Sequence, residues 1–153
     1  MDHPLGVLKG AWKGPVATAV AYAIGAQVGF HLRFPPATTS ILWPPNAILT
    51  TALLLVNPTK WWIFLLATLP AHLVVEIPVV EPVGMVPLLF ATNCSEALIA
   101  AAIVRSFSDR PDRFDTLRRM VVFIVGAVLA APVLSSFLDA ALVSWMTGER
   151  YWT

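Results

Sequence analysis

The sequence predicts an all-α protein, a polytopic transmembrane helix bundle with about five crossings and a cytoplasmic amino terminus. Three observations carry that expectation. Of 153 residues, 58% are apolar and only 12% charged, roughly half the charged share of a soluble domain. Four apolar stretches reach the roughly 20 residues that a helix needs to span a hydrocarbon core about 30 Å thick. Finally, alternate crossing gathers the basic residues on one side. A mean hydropathy of +0.75 removes disorder from consideration. The net charge of +1 argues against nucleic acid as a partner. The one cysteine, Cys94, can make no internal disulfide, and no zinc spacing exists.

The first stretch, 15–34, follows Lys9, Trp12 and Lys13 and carries no charge until Arg33. A cleaved signal peptide would be cut near Ala23 to Ala26, but the apolar run continues past that point to the length of a span. Gly25 and Gly29 are four residues apart, with Ala17 and Ala21 on the same face. Such a stripe permits close helix approach, within one bundle or between two copies as a homodimer. The next run, 46–56, is short and follows Trp43-Pro44-Pro45. It crosses only if the extended stretch 40–45 lies at membrane depth, shielded by protein. Stretch 61–80 opens on Trp61 and Trp62 and contains Pro70 and Pro78, each of which removes a backbone donor. Stretches 84–107 and 120–146 complete the set, the last holding Gly126, Ala130, Ala131 and Pro132.

Basic residues test the threading. With residues 1–14 as a cytoplasmic lead, five crossings put Lys9, Lys13, Lys60, Arg105, Arg110, Arg113, Arg118 and Arg119 inside, and only Arg33 and Arg150 outside. This is the positive-inside asymmetry. Trp12, Trp61 and Trp62 fall at the inner boundary, Trp43 and Trp145 at the outer one. In the cytoplasmic loop 105–119, Asp109, Asp112 and Asp115 alternate with arginines, and Asp112 or Asp115 is placed to cap the next helix.

Ionisable groups inside a bilayer cost roughly 3 kcal/mol each, so they should face one another or a wet cavity. His72 and Glu76 share a helix face at a spacing of four, and Asn93 and Glu96 at a spacing of three. A hydrogen-bonded His72–Glu76 pair tying helices is expected. Arg33, Trp43, Asn46, Glu76 and Asp139 fall in the outer third, and a short proline-opened segment points to a binding site. The candidate ligand-binding cluster is therefore Arg33, Trp43, Asn46, His72, Glu76, Asn93, Glu96 and Asp139; simple pairing of Arg33 with a carboxylate is the plainer alternative. No catalytic constellation, metal site or cofactor motif is found.

Three motifs in order resemble the membrane-associated sensor domain family, the first MASE family. Trp43-Pro44-Pro45-Asn46-Ala47-Ile48 with Leu53-Leu54-Leu55 is similar to the signature that opens an early helix there. Asn93-Cys94-Ser95-Glu96-Ala97 resembles its asparagine–x–x–glutamate–alanine helix start. Phe114-Asp115-Thr116-Leu117-Arg118-Arg119 through Phe123, then Ala130-Ala131-Pro132, resembles its juxtamembrane turn and next helix. The resemblance implies a sensory input domain of a bacterial inner membrane that regulates a cytoplasmic histidine kinase, diguanylate cyclase or phosphodiesterase module. It also implies about eight helices over about twice this length, so the chain reads as the amino-terminal part of such a domain. The rival function is a subunit or fragment of a small-solute transporter.

Overall fold

Prolines, glycines and paired prolines punctuate the chain, and its helices begin and end at them. In a computed structural model, residues 12–33, 42–108, 111, 113 and 115–148 are described. They form five helices: α1 (Lys13–His31), α2 (Pro44–Leu55), α3 (Trp61–Glu76), α4 (Val86–Phe107) and a long α5. The last is a rod of α-helical Leu117–Phe123, π-helical Ile124–Ala130 and α-helical Ala131–Thr147. Lys9, the stretch 34–41, Asp109, Arg110, Asp112, Phe114 and Arg150 lie outside the described residues. Two helical runs, Val83–Phe107 and Leu117–Met146, are long and apolar enough to cross a membrane.

Each boundary has a local cause. Pro44 and Pro45 occupy the first turn of α2, where no backbone donor is needed and the fixed φ suits a helix. The family-like signature thus opens a helix as expected. Pro87 does the same for α4. Asn57 caps the turn Pro58–Lys60 by accepting from Thr59 N at 3.0 Å. Pro78 was expected inside the third helix, but α3 ends at Glu76. Proline cannot donate to the Val74 carbonyl, so the ladder stops, and Val79 and Val80 N–H both turn back to Glu76 O. Residues 93–97 lie within α4 rather than at a helix start, because Pro87 already opens that helix. At α5 the cap is Thr116, not Asp115: the Thr116 hydroxyl accepts from Arg119 N at 3.4 Å. Asp115 instead receives the Arg119 guanidinium, which holds its carboxyl below the usual carboxylate range.

Pro132 stands just beyond the π segment. Its ring and missing N–H disrupt the bond to Val128 O, and the widened turns over Ile124–Ala130 absorb that defect.

Helices consecutive in the chain alternate in direction. Gly14 meets Phe64 and Tyr22 meets His72, so α1 and α3 run parallel. Gly25 meets Ile48 and Gly29 meets Trp43, so α2 runs back along α1. Arg105 reaches the end of α2, and Ile103 meets Gly126 while Gly84 meets Met146, so α5 opposes α4. A β-carbon on Gly29 would lie 2.6 Å from the Trp43 ring, and one on Gly25 2.8 Å from Ile48. That glycine face is filled by α2 of the same chain, which is packing within the bundle, the first of the two readings of the stripe. The core comprises Tyr22, Leu49, Leu53, Leu54, Phe64, Ala97, Ala101 and Val104.

Polarity is inverted relative to a water-soluble domain. Val16, Val20, Ile24 and Val28 run exposed at four-residue spacing, as do Ile124, Val128 and much of α5. Thr18, Thr50, Thr68, His72, Glu76, Thr92 and Ser135 are buried. Hydroxyls of Thr18, Thr51, Thr68 and Ser95 bond the carbonyl four residues back, which satisfies them where water is scarce.

Candidate functional site

All five helices contribute to one cavity of about 820 Å³. It lies where α1 ends, α2 begins, α3 ends and α4 begins, beside the second half of α5. Seven of the eight residues singled out from the sequence line it: Arg33, Trp43, Asn46, Glu76, Asn93, Glu96 and Asp139. The eighth, His72, does not.

The α4–α5 wall is a ladder set by helix geometry. Thr92 and Glu96 are one turn apart on α4, Ser135 and Asp139 one turn apart on α5, and the helices are antiparallel. Ser135 Oγ therefore donates to Glu96 Oε2 at 2.7 Å, and the Thr92 hydroxyl, with one proton, lies 3.2 Å from Asp139 Oδ1 and 2.9 Å from Leu89 O. Such bonds satisfy carboxyl oxygens that are withdrawn from water. Opposite them, Glu76 is 3% exposed and accepts no hydrogen bond from a described side chain; its dominant charged neighbour is Arg33. Arg33 forms no ion pair among the described residues. Its guanidinium lies 4.2 Å over the Phe30 ring, and its Nε is buried without an acceptor. Asn46 Oδ1 is likewise buried without a donor. Phe30 and Trp43 stack at 5.3 Å between centroids and 60° to form the aromatic wall.

His72 is fully buried behind this cavity. Its Nε2 lies 3.0 Å from Val86 O and its Nδ1 3.1 Å from the Tyr22 hydroxyl. A carbonyl only accepts, so Nε2 carries the proton, and Nδ1 accepts from Tyr22. Asn93 Nδ2 donates to the same Tyr22 oxygen at 3.1 Å. A one-way chain of donors thus runs from Asn93 through Tyr22 and His72 to Val86 O, tying α1, α3 and α4. The expected His72–Glu76 bond is replaced, because both ring nitrogens are already taken by other helices. Asn93 belongs to both the cavity and this chain. Among the described residues no group of three or more His, Cys, Asp or Glu is placed to hold a metal ion.

The sequence model of the MASE1 family matches residues 15–151. The chain belongs to the MASE1 family. MASE1 is a family of membrane-associated sensor domains, sensory inputs rather than catalysts, and the matched span takes in every helix described above but for the first two residues of α1. No match to this MASE1 domain emerges among curated proteins or among solved structures. Thr92 and Ser135, which line the cavity, and Tyr22, which stands behind it, were missed by sequence reading. Their signal was available: Tyr22 shares the Gly25–Gly29 face, Thr92 sits one turn before Glu96, and Ser135 one turn before Asp139.

Proposed function

We propose that this MASE1 domain is a multi-pass input unit of a bacterial inner membrane that binds a small ligand in the five-helix cavity and passes its occupancy to a cytoplasmic output module, a histidine kinase or a cyclic-di-GMP enzyme. One observation carries the reading: a cavity built by all five helices holds a buried carboxylate, Glu76, that accepts no hydrogen bond from a described side chain, and beside it an arginine, Arg33, whose buried Nε has no acceptor. A ligand that supplies those partners stabilises the arrangement that holds them, and differential affinity of this kind shifts a population between bundle states.

Alternating helix directions support five crossings. They place Lys13, Lys60, Arg105, Arg113, Arg118 and Arg119 at one end and Arg33 at the cavity end, matching a cytosolic amino terminus. Trp12 and Trp62 are exposed at the basic end and Trp145 near the cavity end, as interfacial anchors would be. The twelve-residue α2 is only about 18 Å long, so its crossing depends on shielding by α1 and α4.

Two measurements test the proposal. Reporter fusions after residues 60 and 112 report the cytosol, and a fusion after 81 the periplasm; both of the first two appearing outside overturns the topology. In the protein carrying its output module, Glu76→Gln and Asp139→Asn alter the signalling response; unchanged responses from both overturn the sensing site. Uptake of a labelled solute by vesicles carrying the protein would favour the transporter instead.

A further inference from the structure

The unmatched groups in the cavity have complementary chemistry. Asn46 Oδ1 is a buried acceptor without a donor and Arg33 Nε–H a buried donor without an acceptor, while Glu76, whose charged neighbour is Arg33, accepts no hydrogen bond from a described side chain. A buried polar group left this way costs about 1–3 kcal/mol, and more when charged. Of the remaining acids, Glu96 is served by Ser135, Asp139 shares the Thr92 hydroxyl with Leu89 O, and Glu81 is exposed at the rim. With four carboxyl groups against one guanidinium, the lining favours a positive charge. A bare divalent cation fits poorly, because such an ion takes six or more clustered oxygens and no such cluster occurs among the described residues. The volume of about 820 Å³ lies within the usual range for small organic ligands.

We propose that the cavity recognises an aminoalkyl ligand, whose ammonium N–H donors bond Glu76 and Asn46 and whose oxygen acceptor, a few bonds away, meets Arg33. This rests on the cavity being the sensing site proposed above. N–H donors are required, since a quaternary ammonium leaves both orphan acceptors unserved. Two sources carry this chemistry: a soluble amino alcohol or its phosphate, and the headgroup of an ethanolamine phospholipid.

Phosphoethanolamine and phosphocholine, which differ only in the methyl groups that remove N–H, provide the test. The purified full chain in detergent is titrated calorimetrically with each, and then reconstituted in nanodiscs of phosphatidylethanolamine or phosphatidylcholine with bound lipid counted after delipidation. Phosphoethanolamine binds at least about tenfold more tightly than phosphocholine, and Glu76→Gln removes at least that factor. Selective retention of phosphatidylethanolamine, lost in Glu76→Gln, without binding of the soluble compound, also supports the proposal and assigns the lipid source. Equal binding of the two phosphates, preference for phosphocholine, or no selectivity in either arm overturns it. Should Glu76→Gln fail to fold by circular dichroism, Asn46→Leu and Arg33→Gln carry the same comparison. If Glu76→Gln abolishes signalling in the protein carrying its output module while no aminoalkyl probe binds, the ligand class fails and the sensing site stands. If neither changes, both fail.

Discussion

Arg105 and Arg33 sit at opposite ends of the bundle, each against an aromatic ring, and they are held differently. Arg105 Nη2 reaches the carbonyls of Leu54 at 3.0 Å, Leu53 at 3.4 Å and Val56, with Trp61 5.9 Å from its guanidinium carbon. Trp61 Nε1 donates to Leu53 O as well, at 2.8 Å. The carbonyls at the end of α2, which have no partners within their own helix, are thus capped by side chains from α4 and α3. Arg33 has a ring beneath it and makes no hydrogen bond to a described residue, whereas Arg105 makes three; the Nε of each is buried without an acceptor. One end is stitched by side chain to backbone, and the other is not.

The largest expected effect comes from cutting the stitch. Arg105→Ala removes a charged donor from three carbonyls and lowers stability by about 3 kcal/mol, measurable by equilibrium unfolding in mixed micelles. Arg105→Lys restores only part, since a point charge cannot span the same carbonyls. An unchanged unfolding midpoint for Arg105→Ala would erase the contrast between the ends.

Glycine substitutions grade the packing next. Gly29→Ala forces a β-carbon against the Trp43 ring, itself stacked on Phe30, and costs about 1–3 kcal/mol. It also displaces the aromatic wall, so the fluorescence of Trp43 in a variant lacking the other tryptophans shifts. Gly14→Ala meets only ordinary contact with Phe64 at 3.4 Å, and gains up to about 1 kcal/mol from helix propensity. The same unfolding assay should separate the two in sign.

Tyr22→Phe then probes the chain that links cavity to core. It leaves His72 Nδ1 without its donor and Asn93 without its acceptor, lowering stability by about 1–2 kcal/mol. A Tyr22→Phe, His72→Leu double change should cost less than the sum of the single ones; strict additivity would mean the two do not act together.

The smallest effect is at the exposed Asp115–Arg119 pair. Because the folded carboxyl titrates below its ordinary value, its contribution is present above the unfolded pKa and is lost as pH falls through the folded one. The melting-temperature difference between the protein and Asp115→Asn therefore shrinks on acidification below about pH 4, and shrinks further in high salt.

Much of the site was legible because polar residues in an apolar run have few places to go. Arg33, Glu76, Glu96 and Asp139 were identifiable from charge against hydropathy alone, and Trp43 and Asn46 from the paired prolines beside them. What the sequence did not convey was pairing between helices. His72 and Glu76 share a face of α3, yet their partners are decided by which helices lie opposite, Tyr22 of α1 for one and the cavity for the other. Gly25 and Gly29 announce a close approach without saying to what. Arg105 counted only as a topological marker, since its target carbonyls lie some fifty residues earlier. The π turns were half visible: Pro132 marks the defect, but its accommodation lies upstream of the proline.

Those widened turns have a mechanical consequence. An α-helix advances about 100° per residue, and a π turn accommodates an extra residue in the register. Relaxing one such turn to α geometry would swivel the half-rod bearing Ser135 and Asp139 by about that angle relative to Leu117–Phe123. Coupling along α5 would then be torsional, a crank rather than a piston.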